Sequence, residues 1–148
     1  MEKYNVLDII RGTTVDGPGF RTAIYLAGCR HKCPGCHNPG SWNPEAGRLM
    51  SIDEIMEVVE EEDFDVTLTG GDPLFSPVKL LPLLQRITEA HYKIWLYTGY
   101  TYEEILERED LRAILPFLEA IVDGRFVEEL KNPDLRFRGS SNQRIIML

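Results

Sequence analysis

Residues 21–36 read RTAIYLAGCRHKCPGC, a stretch that holds a predicted strand and all three cysteines of the chain. The run at residues 21–27 is rich in β-branched and aromatic residues, which is typical of a strand. Cys29, Cys33 and Cys36 follow at once with the spacing C-x3-C-x2-C. Loops after the carboxyl ends of strands carry the chemistry of many α/β folds. We therefore expect the cysteine loop to be the functional centre.

Three thiolates without a fourth cysteine indicate a metal centre that keeps one coordination position open. Iron–sulfur clusters are held by cysteine thiolates, normally four of them. A cubane cluster with three cysteine ligands leaves one iron accessible to a substrate or a cofactor. A zinc site with His31 or His37 as the fourth ligand is an alternative, although structural zinc sites usually pair two C-x2-C units. The odd number of cysteines disfavours a disulfide framework.

Length and composition indicate an ordinary globular protein. The chain has 148 residues, of which 43% are hydrophobic and 27% charged, and we expect a single domain over residues 1–148. A net charge of −8 disfavours binding to nucleic acid, which needs basic patches. No apolar run approaches the roughly 20 residues of a membrane span, and the first residues lack a signal-peptide pattern. Clustered thiols without an export signal favour the cytoplasm.

Strands and helices alternate after the cysteine loop. The sequence Ser51 to Glu54 fits a capping box, which predicts a helix start. Further helices are predicted from residues 76 and 101, and further strands at 65–69, 93–98, 118–122 and 144–147. Such alternation favours a parallel sheet with right-handed crossovers. Four β/α units are too few for an eight-stranded barrel. We therefore expect an α/β fold, an open partial (β/α) barrel with a mostly parallel sheet.

Each predicted parallel strand ends in a small or polar cluster. The clusters are Gly28-Cys29, Thr69-Gly70-Gly71-Asp72, Thr98-Gly99-Tyr100 and Asp123-Gly124-Arg125. Taken alone, each is a strand-terminating turn. In a parallel sheet, however, the carboxyl ends share one edge, where ligands bind. Gly70 and Gly71 would let a ligand approach bare backbone, and Asp72 would offer a carboxylate to an ammonium group.

The ordered motifs resemble those of radical S-adenosylmethionine (SAM) enzymes. The cysteine spacing matches, and residues 69–73, TGGDP, resemble the Gly-Gly-Glu element with Asp in place of Glu. Residues 16–21, DGPGFR, resemble a loop of the activases of glycyl radical enzymes. Residues 122–126, VDGRF, and 138–143, RGSSNQ, are similar to segments of the activases that serve the anaerobic ribonucleoside-triphosphate reductase.

This resemblance implies a fold of the radical SAM type, a [4Fe–4S] cluster on the three cysteines, and SAM as the second cofactor. It also implies reductive cleavage of SAM and formation of a glycyl radical on the large chain of the reductase. A low-potential donor such as flavodoxin or ferredoxin would supply the electron. Two alternatives stay open. One is an activase of another glycyl radical enzyme, such as pyruvate formate-lyase, and the other is a non-catalytic iron–sulfur or zinc module.

The resemblance also implies roles for individual residues. Contacts to SAM are expected from Gly70, Gly71, Asp72, His37, Asn38, Thr98, Asp123 and Arg125. Contacts to the partner are expected from Asp16, Gly17, Gly19, Arg21, Arg138, Ser140 and Asn142. Sister activases carry an Asp-Thr cation site at the third strand, but Tyr97 replaces that Asp here, which puts a monovalent-cation site in doubt.

Overall fold

One seven-stranded mixed sheet organises the computed structural model, which describes residues 2–31, 33–36 and 39–148. The strands are β1 (Lys3–Thr13), β2 (Arg21–Leu26), β3 (Arg48–Ser51), β4 (Asp65–Gly70), β5 (Ile94–Tyr97), β6 (Ala120–Asp123) and β7 (Arg144–Met147). The helices are α1 (Ile52–Glu62), α2 (Pro77–Glu89), α3 (Tyr102–Glu107) and α4 (Glu109–Arg112), with 3₁₀ turns at Pro39–Trp42, Pro73–Phe75, Leu115–Phe117 and Glu128–Leu130. The strand order is β3-β1-β2-β4-β5-β6-β7.

The predicted open partial (β/α) barrel of the radical SAM type, with a mostly parallel sheet, is wrong. Only β2, β4, β5 and β6 pair in parallel. Strand β1 pairs antiparallel with both β2 and β3, and β7 pairs antiparallel with β6. The connection at residues 14–20 is shorter than the dozen or so residues that a parallel crossover needs, so β1 and β2 can only run antiparallel.

Short helices explain the rest of the departure from a barrel. Helices α3 and α4 have 6 and 4 residues, too few to cover a strand as a full crossover helix does. The segment between β6 and β7 carries a 3₁₀ turn at Glu128–Leu130 instead of a helix, and the chain returns antiparallel. The fold is therefore a small mixed sheet with few helices.

Two strands escaped the sequence analysis. Strand β1 shifts register between Val6 and Asp8 and again between Ile10 and Thr13. A bulge places an extra residue in the strand and breaks the alternation by which strands are detected. Strand β3 has four residues and lies at the sheet edge, which is too short for a periodic signal. Pattern analysis thus missed β1 and β3, whereas the antiparallel strand β7 was predicted at residues 144–147.

The two faces of the parallel strands differ in polarity because successive side chains point to opposite sides. One face packs on α1 and α2 in the main core, and its buried residues are Ile24, Leu26, Val66, Leu68, Ile94, Leu96 and Ile121. The other face carries Arg21, Tyr25, Thr67, Thr69, Trp95, Tyr97 and Val122. Two loops, at residues 14–20 and 133–139, contact this second face. The polar face is the one that receives the cysteine loop.

The structure confirms the predicted capping box at the start of α1. The Ser51 hydroxyl accepts a hydrogen bond from the Glu54 amide at 3.1 Å, and the Glu54 carboxylate accepts from the Ser51 amide at 3.0 Å. Thr101 and Glu104 form the same reciprocal pair at the start of α3. Within the residues that the structure describes, no helix combines the length and apolar character needed to cross a bilayer.

We expect Ser51→Ala to lower the free energy of unfolding by about 1 kcal/mol, because the Glu54 amide loses the hydroxyl that caps it. The change is measured as a shift of the urea midpoint under anaerobic conditions, at equal iron content. Ser51→Thr is the control, since threonine keeps the capping hydroxyl. Equal destabilisation by both variants would contradict the capping role.

Candidate functional site

A cleft of about 300 Å³ lies where the four parallel strands end. Four side chains of the polar face line it, one from each parallel strand: Tyr25, Thr69, Tyr97 and Val122. In the sheet register, Tyr25 lies opposite Thr69, and Tyr97 lies opposite Val122. Cys29, Cys33 and Cys36 line the same cleft, together with Gly70, Gly71, Thr98, Gly99, Gly124 and Arg125. The structure thus brings the strand-end clusters and the cysteine loop to one place.

Two glycines allow the cysteine loop to start against bare backbone. The amide of Gly28 donates to the Ser41 carbonyl, and the amide of Asp72 donates to the Gly28 carbonyl, both at 2.7 Å. A β-carbon on Gly71 would lie 2.5 Å from the Gly28 carbonyl oxygen. A β-carbon on Gly70 would lie 2.4 Å from backbone atoms of Leu26. Gly70 and Gly71 therefore serve close packing of chain against chain, besides lining the cleft.

The Asp72 carboxylate is 2% exposed and has hydrogen-bond partners in the protein on both oxygens. One oxygen accepts from the Leu74 amide at 2.9 Å. The other accepts from the Thr98 hydroxyl and the Gly99 amide, both at 3.0 Å, and lies 2.6 Å from His31 Nε2. Three of these four partners contact one oxygen, and the other oxygen has a single partner. Asp72, predicted to contact an ammonium group of the cofactor, is thus held by three parts of the chain, and its contact with the cofactor stays a prediction.

His31 lies between the first two cysteines and has partners on both ring nitrogens. Besides the contact with Asp72, its Nδ1 accepts from Arg125 Nε at 3.1 Å. Its ring meets the Tyr100 ring edge-on, with centroids 4.8 Å apart. The sequence analysis considered His31 as a zinc ligand, but this arrangement leaves neither nitrogen for a metal.

The remaining predicted cofactor contacts occupy different environments. Thr98 is buried, lines the cleft and bonds to Asp72. Arg125 lines the cleft with a half-exposed side chain, and its guanidinium lies 3.7 Å from Glu104. His37 and Asn38 lie outside the described residues.

Asp123 is 1% exposed and does not line the cleft. Its carboxylate accepts from the Tyr102 amide at 2.8 Å and from the Arg144 guanidinium. The hydrogen bonds from Arg144 to Asp123 and Glu103 raise the pKa of that guanidinium further. Asp123, predicted to contact the cofactor, is placed where it ties β6 to α3 and β7.

The predicted partner loop, residues 16–21, is anchored from inside. Arg21 is 2% exposed and donates to the Thr67 hydroxyl at 2.8 Å and to the carbonyls of Pro18 and Val66. Burial lowers the pKa of its guanidinium, although it stays charged. Gly17 is buried against this side chain, whereas Gly19 is exposed. The carboxylate of Asp16 lines the cleft and accepts from the Tyr25 hydroxyl at 2.8 Å.

The segment at residues 138–143 is folded into a turn that closes one side of the cleft. The Ser140 side chain is buried and donates to Asn142 at 2.6 Å. Asn142 and Gln143 donate to the carbonyls of Arg125 and Gly124, at 2.8 and 2.9 Å. Ser140 and Asn142, predicted to contact a partner, thus hold the chain around Arg125.

A surface groove leads into the cleft. Residues 14–16 and 19 line one side, residues 133 and 135–139 line the other, and Tyr97 lies between them. Asp16, Tyr97 and Gly139 line both the groove and the cleft, so the two are continuous. Among the described residues, the buried Tyr97 hydroxyl and the buried Arg138 Nε have no hydrogen-bond partner. Burial, with the nearby Asp16 charge, raises the pKa of Tyr97, so its hydroxyl stays a donor.

The sequence analysis gave Tyr25 and Tyr97 no part in the predicted site. A signal was present, because each tyrosine directly follows an apolar core residue of its strand, Ile24 or Leu96. Polar or aromatic residues that recur with period two near a strand end mark the face opposite the core. The unpaired Tyr97 hydroxyl, by contrast, depends on packing that no local pattern reports.

Comparison with known proteins shows which family has a similar sequence. A family model described as a 4Fe-4S single cluster domain matches residues 15–146. A protein of Haemophilus influenzae is 36% identical over 95% of this chain and 96% of its own length. Proteins of Vibrio cholerae and Escherichia coli are 38% and 37% identical, over 88% and 87% of this chain and 90% and 89% of their own lengths. All three are named anaerobic ribonucleoside-triphosphate reductase-activating proteins.

The chain belongs to this family of reductase-activating proteins. The family match confirms the prediction of an iron–sulfur cluster domain. The cysteine loop fits such a cluster, because its three thiols line one cleft beside open volume. Within residues 2–31, 33–36 and 39–148, no three His, Cys, Asp or Glu side chains converge closely enough to hold a single ion. The ligands of a cluster need not converge on one point, since each thiolate binds a different iron.

We expect Cys33→Ala to lose most of its iron and sulfide after anaerobic reconstitution, because a cluster held by two thiolates is exposed to exchange. Iron content and visible absorbance per chain measure the loss. Arg30→Ala is the matched control, since Arg30 lies in the same loop but does not line the cleft. Wild-type iron content in the cysteine variant would show that Cys33 is not a ligand.

Proposed function

We propose that this chain is a radical SAM activase that generates a glycyl radical on the large chain of the anaerobic ribonucleoside-triphosphate reductase. The observation that carries the proposal is the C-x3-C-x2-C set, which has no fourth cysteine and lines a cleft with room beside it. The names of the relatives support the partner, and the family model supports the cluster.

The reaction needs one electron for each radical made. When bound, the cluster supplies that electron to SAM. The bond between the sulfonium sulfur and the 5′ carbon breaks, and the products are methionine and a 5′-deoxyadenosyl radical. This radical removes a hydrogen atom from the α-carbon of a glycine in the reductase, which leaves 5′-deoxyadenosine and a glycyl radical. A low-potential donor such as flavodoxin or ferredoxin provides the electron from outside.

The residues that line the cleft have separate tasks in this proposal. Cys29, Cys33 and Cys36 hold the cluster. The Arg125 guanidinium, at the cleft, is suited to the carboxylate of SAM, because charge-assisted bonds from arginine to carboxylates are strong. Gly70, Gly71 and Thr98 form the neighbouring wall, where the ligand meets backbone and one hydroxyl.

The groove is proposed to receive the glycine-bearing segment of the reductase. An extended peptide offers N–H donors and carbonyl acceptors along its length. The Asp16 carboxylate can accept from such an N–H, while the unpaired Tyr97 hydroxyl and Arg138 Nε can donate to carbonyls. Leaving a buried donor without a partner costs about 1–3 kcal/mol, and a bound peptide would remove that cost.

Charge and thiol chemistry complete the proposal. The net charge of −8 favours a protein partner over nucleic acid or an anionic membrane surface. A cytoplasmic location follows from the need to keep the three thiols reduced.

The test is production of 5′-deoxyadenosine from SAM by protein reconstituted with iron and sulfide, under strong reductant and without oxygen. Cys33→Ala runs beside it as the cluster-deficient control. Addition of the reductase large chain should then give an electron paramagnetic resonance doublet of a glycyl radical, in proportion to the 5′-deoxyadenosine formed. No product with a full cluster and with the reductase present would refute the proposal.

We expect Tyr97→Phe to lower the yield of glycyl radical about 3- to 10-fold at limiting reductase, since one peptide hydrogen bond is lost. Cleavage of SAM without the reductase should change little. Quantitative spin counting against reductase concentration measures the effect. Tyr92→Phe is the control, because the Tyr92 hydroxyl bonds to Asp63 away from the cleft and the groove. An equal loss in both variants would rule out a docking role for Tyr97.

A further inference from the structure

We propose that Asp72, His31 and Arg125 form a hydrogen-bonded relay that positions the cysteine loop, and that Asp72 serves this relay instead of binding the ammonium group of the ligand. The inference rests on the proposed function only in taking Cys29 and Cys33 as cluster ligands. His31 is accordingly a positioning residue, which acts on the cluster through the chain between two thiolates.

The first step of the relay is the anchoring of Asp72. Its carboxylate is held at the junction of β4 and β5 by the Leu74 and Gly99 amides and the Thr98 hydroxyl. All three donors belong to elements outside the cysteine loop. The carboxylate therefore presents a fixed acceptor to His31, at 2.6 Å from Nε2.

The second step fixes the protonation pattern of the His31 ring. A guanidinium N–H can only donate, so the contact of 3.1 Å from Arg125 Nε makes His31 Nδ1 an acceptor. The ring proton then resides on Nε2, where it is donated to Asp72. One tautomer of a neutral ring satisfies both contacts, and its orientation is set at two points.

Packing removes the remaining freedom of the ring. The His31 side chain is 5% exposed and meets the Tyr100 ring edge-on. A β-carbon at Gly99 would lie 2.3 Å from the His31 ring, so the ring occupies space that only glycine leaves. His31 stands two residues after Cys29 and two before Cys33, and its placement therefore constrains the path between these two ligands.

The third step joins the loop to the opposite wall of the cleft. The carbonyl of Arg125 accepts from Asn142, while its guanidinium reaches His31 and lies 3.7 Å from Glu104. The relay thus runs from the end of β4, through the cysteine loop, to the end of β6. Partners that orient metal ligands in this way typically change metal affinity about 10- to 100-fold when they are removed.

The experiment measures the half-life of the reconstituted cluster against an iron chelator, together with the electron paramagnetic resonance spectrum of the reduced cluster before SAM is added. We expect His31→Phe and Asp72→Asn each to shorten the half-life about tenfold and to alter the spectrum in the same way. The double variant should also lie about tenfold below wild type, since both changes break one relay.

Two further variants keep the test decisive if a single variant folds poorly. His31→Gln can donate to Asp72 and accept from Arg125 through one amide, so it should recover most of the wild-type half-life. Glu57→Gln is the matched control and should match wild type, because Glu57 is exposed on α1 and lines neither the cleft nor the groove.

Three results would overturn the inference. The first is a wild-type half-life and spectrum in Asp72→Asn with loss of SAM binding alone, which would return Asp72 to the ligand. The second is a loss of about a hundredfold in the double variant, which would show independent effects. The third is a His31→Gln half-life as short as that of His31→Phe. None of these readouts depends on SAM cleavage or on the reductase, so failure of the relay and failure of the proposed function are separable.

Discussion

The arrangement of the site depends on one buried carboxylate. Removing an ionised group from water is costly unless hydrogen bonds replace its hydration, and Asp72 is 2% exposed. Four donors from three parts of the chain converge on it to meet that demand. The turn after β4, the end of β5 and the cysteine loop are therefore drawn to a single point. The hydrogen bonds to Asp72 therefore help to set the shape of the cleft.

One face of the sheet forms the core, and the other lines the cleft. The face under α1 and α2 is apolar and supplies the core. The opposite face lies under loops instead of helices, with the Arg21 guanidinium and Thr67 buried and Thr69 and two tyrosines half-buried. Buried polar groups need specific partners, and the loops supply them through backbone carbonyls and amides. The same requirement that makes this face costly to bury gives its loops a defined path.

Local sequence signals predicted those parts of the fold that depend on local interactions, such as helix starts and strand ends. The capping box at Ser51 located the start of α1, and glycines marked the ends of the parallel strands. Strand β1 stayed hidden because its two bulges break the alternation, and without β1 the sheet could not be predicted as mixed. Sheet class is decided by pairing across the chain, which a single sequence pattern does not report.

The candidate site divides in the same way. The cysteine loop was singled out by its C-x3-C-x2-C spacing, and the strand-end glycines were found from their places after the predicted strands. The contact of His31 with Asp72 joins residues 41 positions apart, and the burial of Arg21 depends on Thr67 in another strand. Both are properties of packing. Asp72, Asp123 and Arg21 were assigned to a ligand or a partner, and those roles stay predictions. The structure adds that all three are buried with partners inside the protein, which a single sequence does not reveal.

Gly17 and Arg21 illustrate what such an anchor imposes over evolutionary time. A β-carbon at position 17 would lie 2.8 Å from the Arg21 side chain, and the backbone there has φ of +133°, a region that disfavours other residues. Position 17 therefore stays glycine whatever residue stands at position 21, because the backbone conformation alone disfavours a side chain there. The contact with Arg21 adds a second, separate reason, so over evolutionary time this glycine would be expected to outlast the arginine beside it.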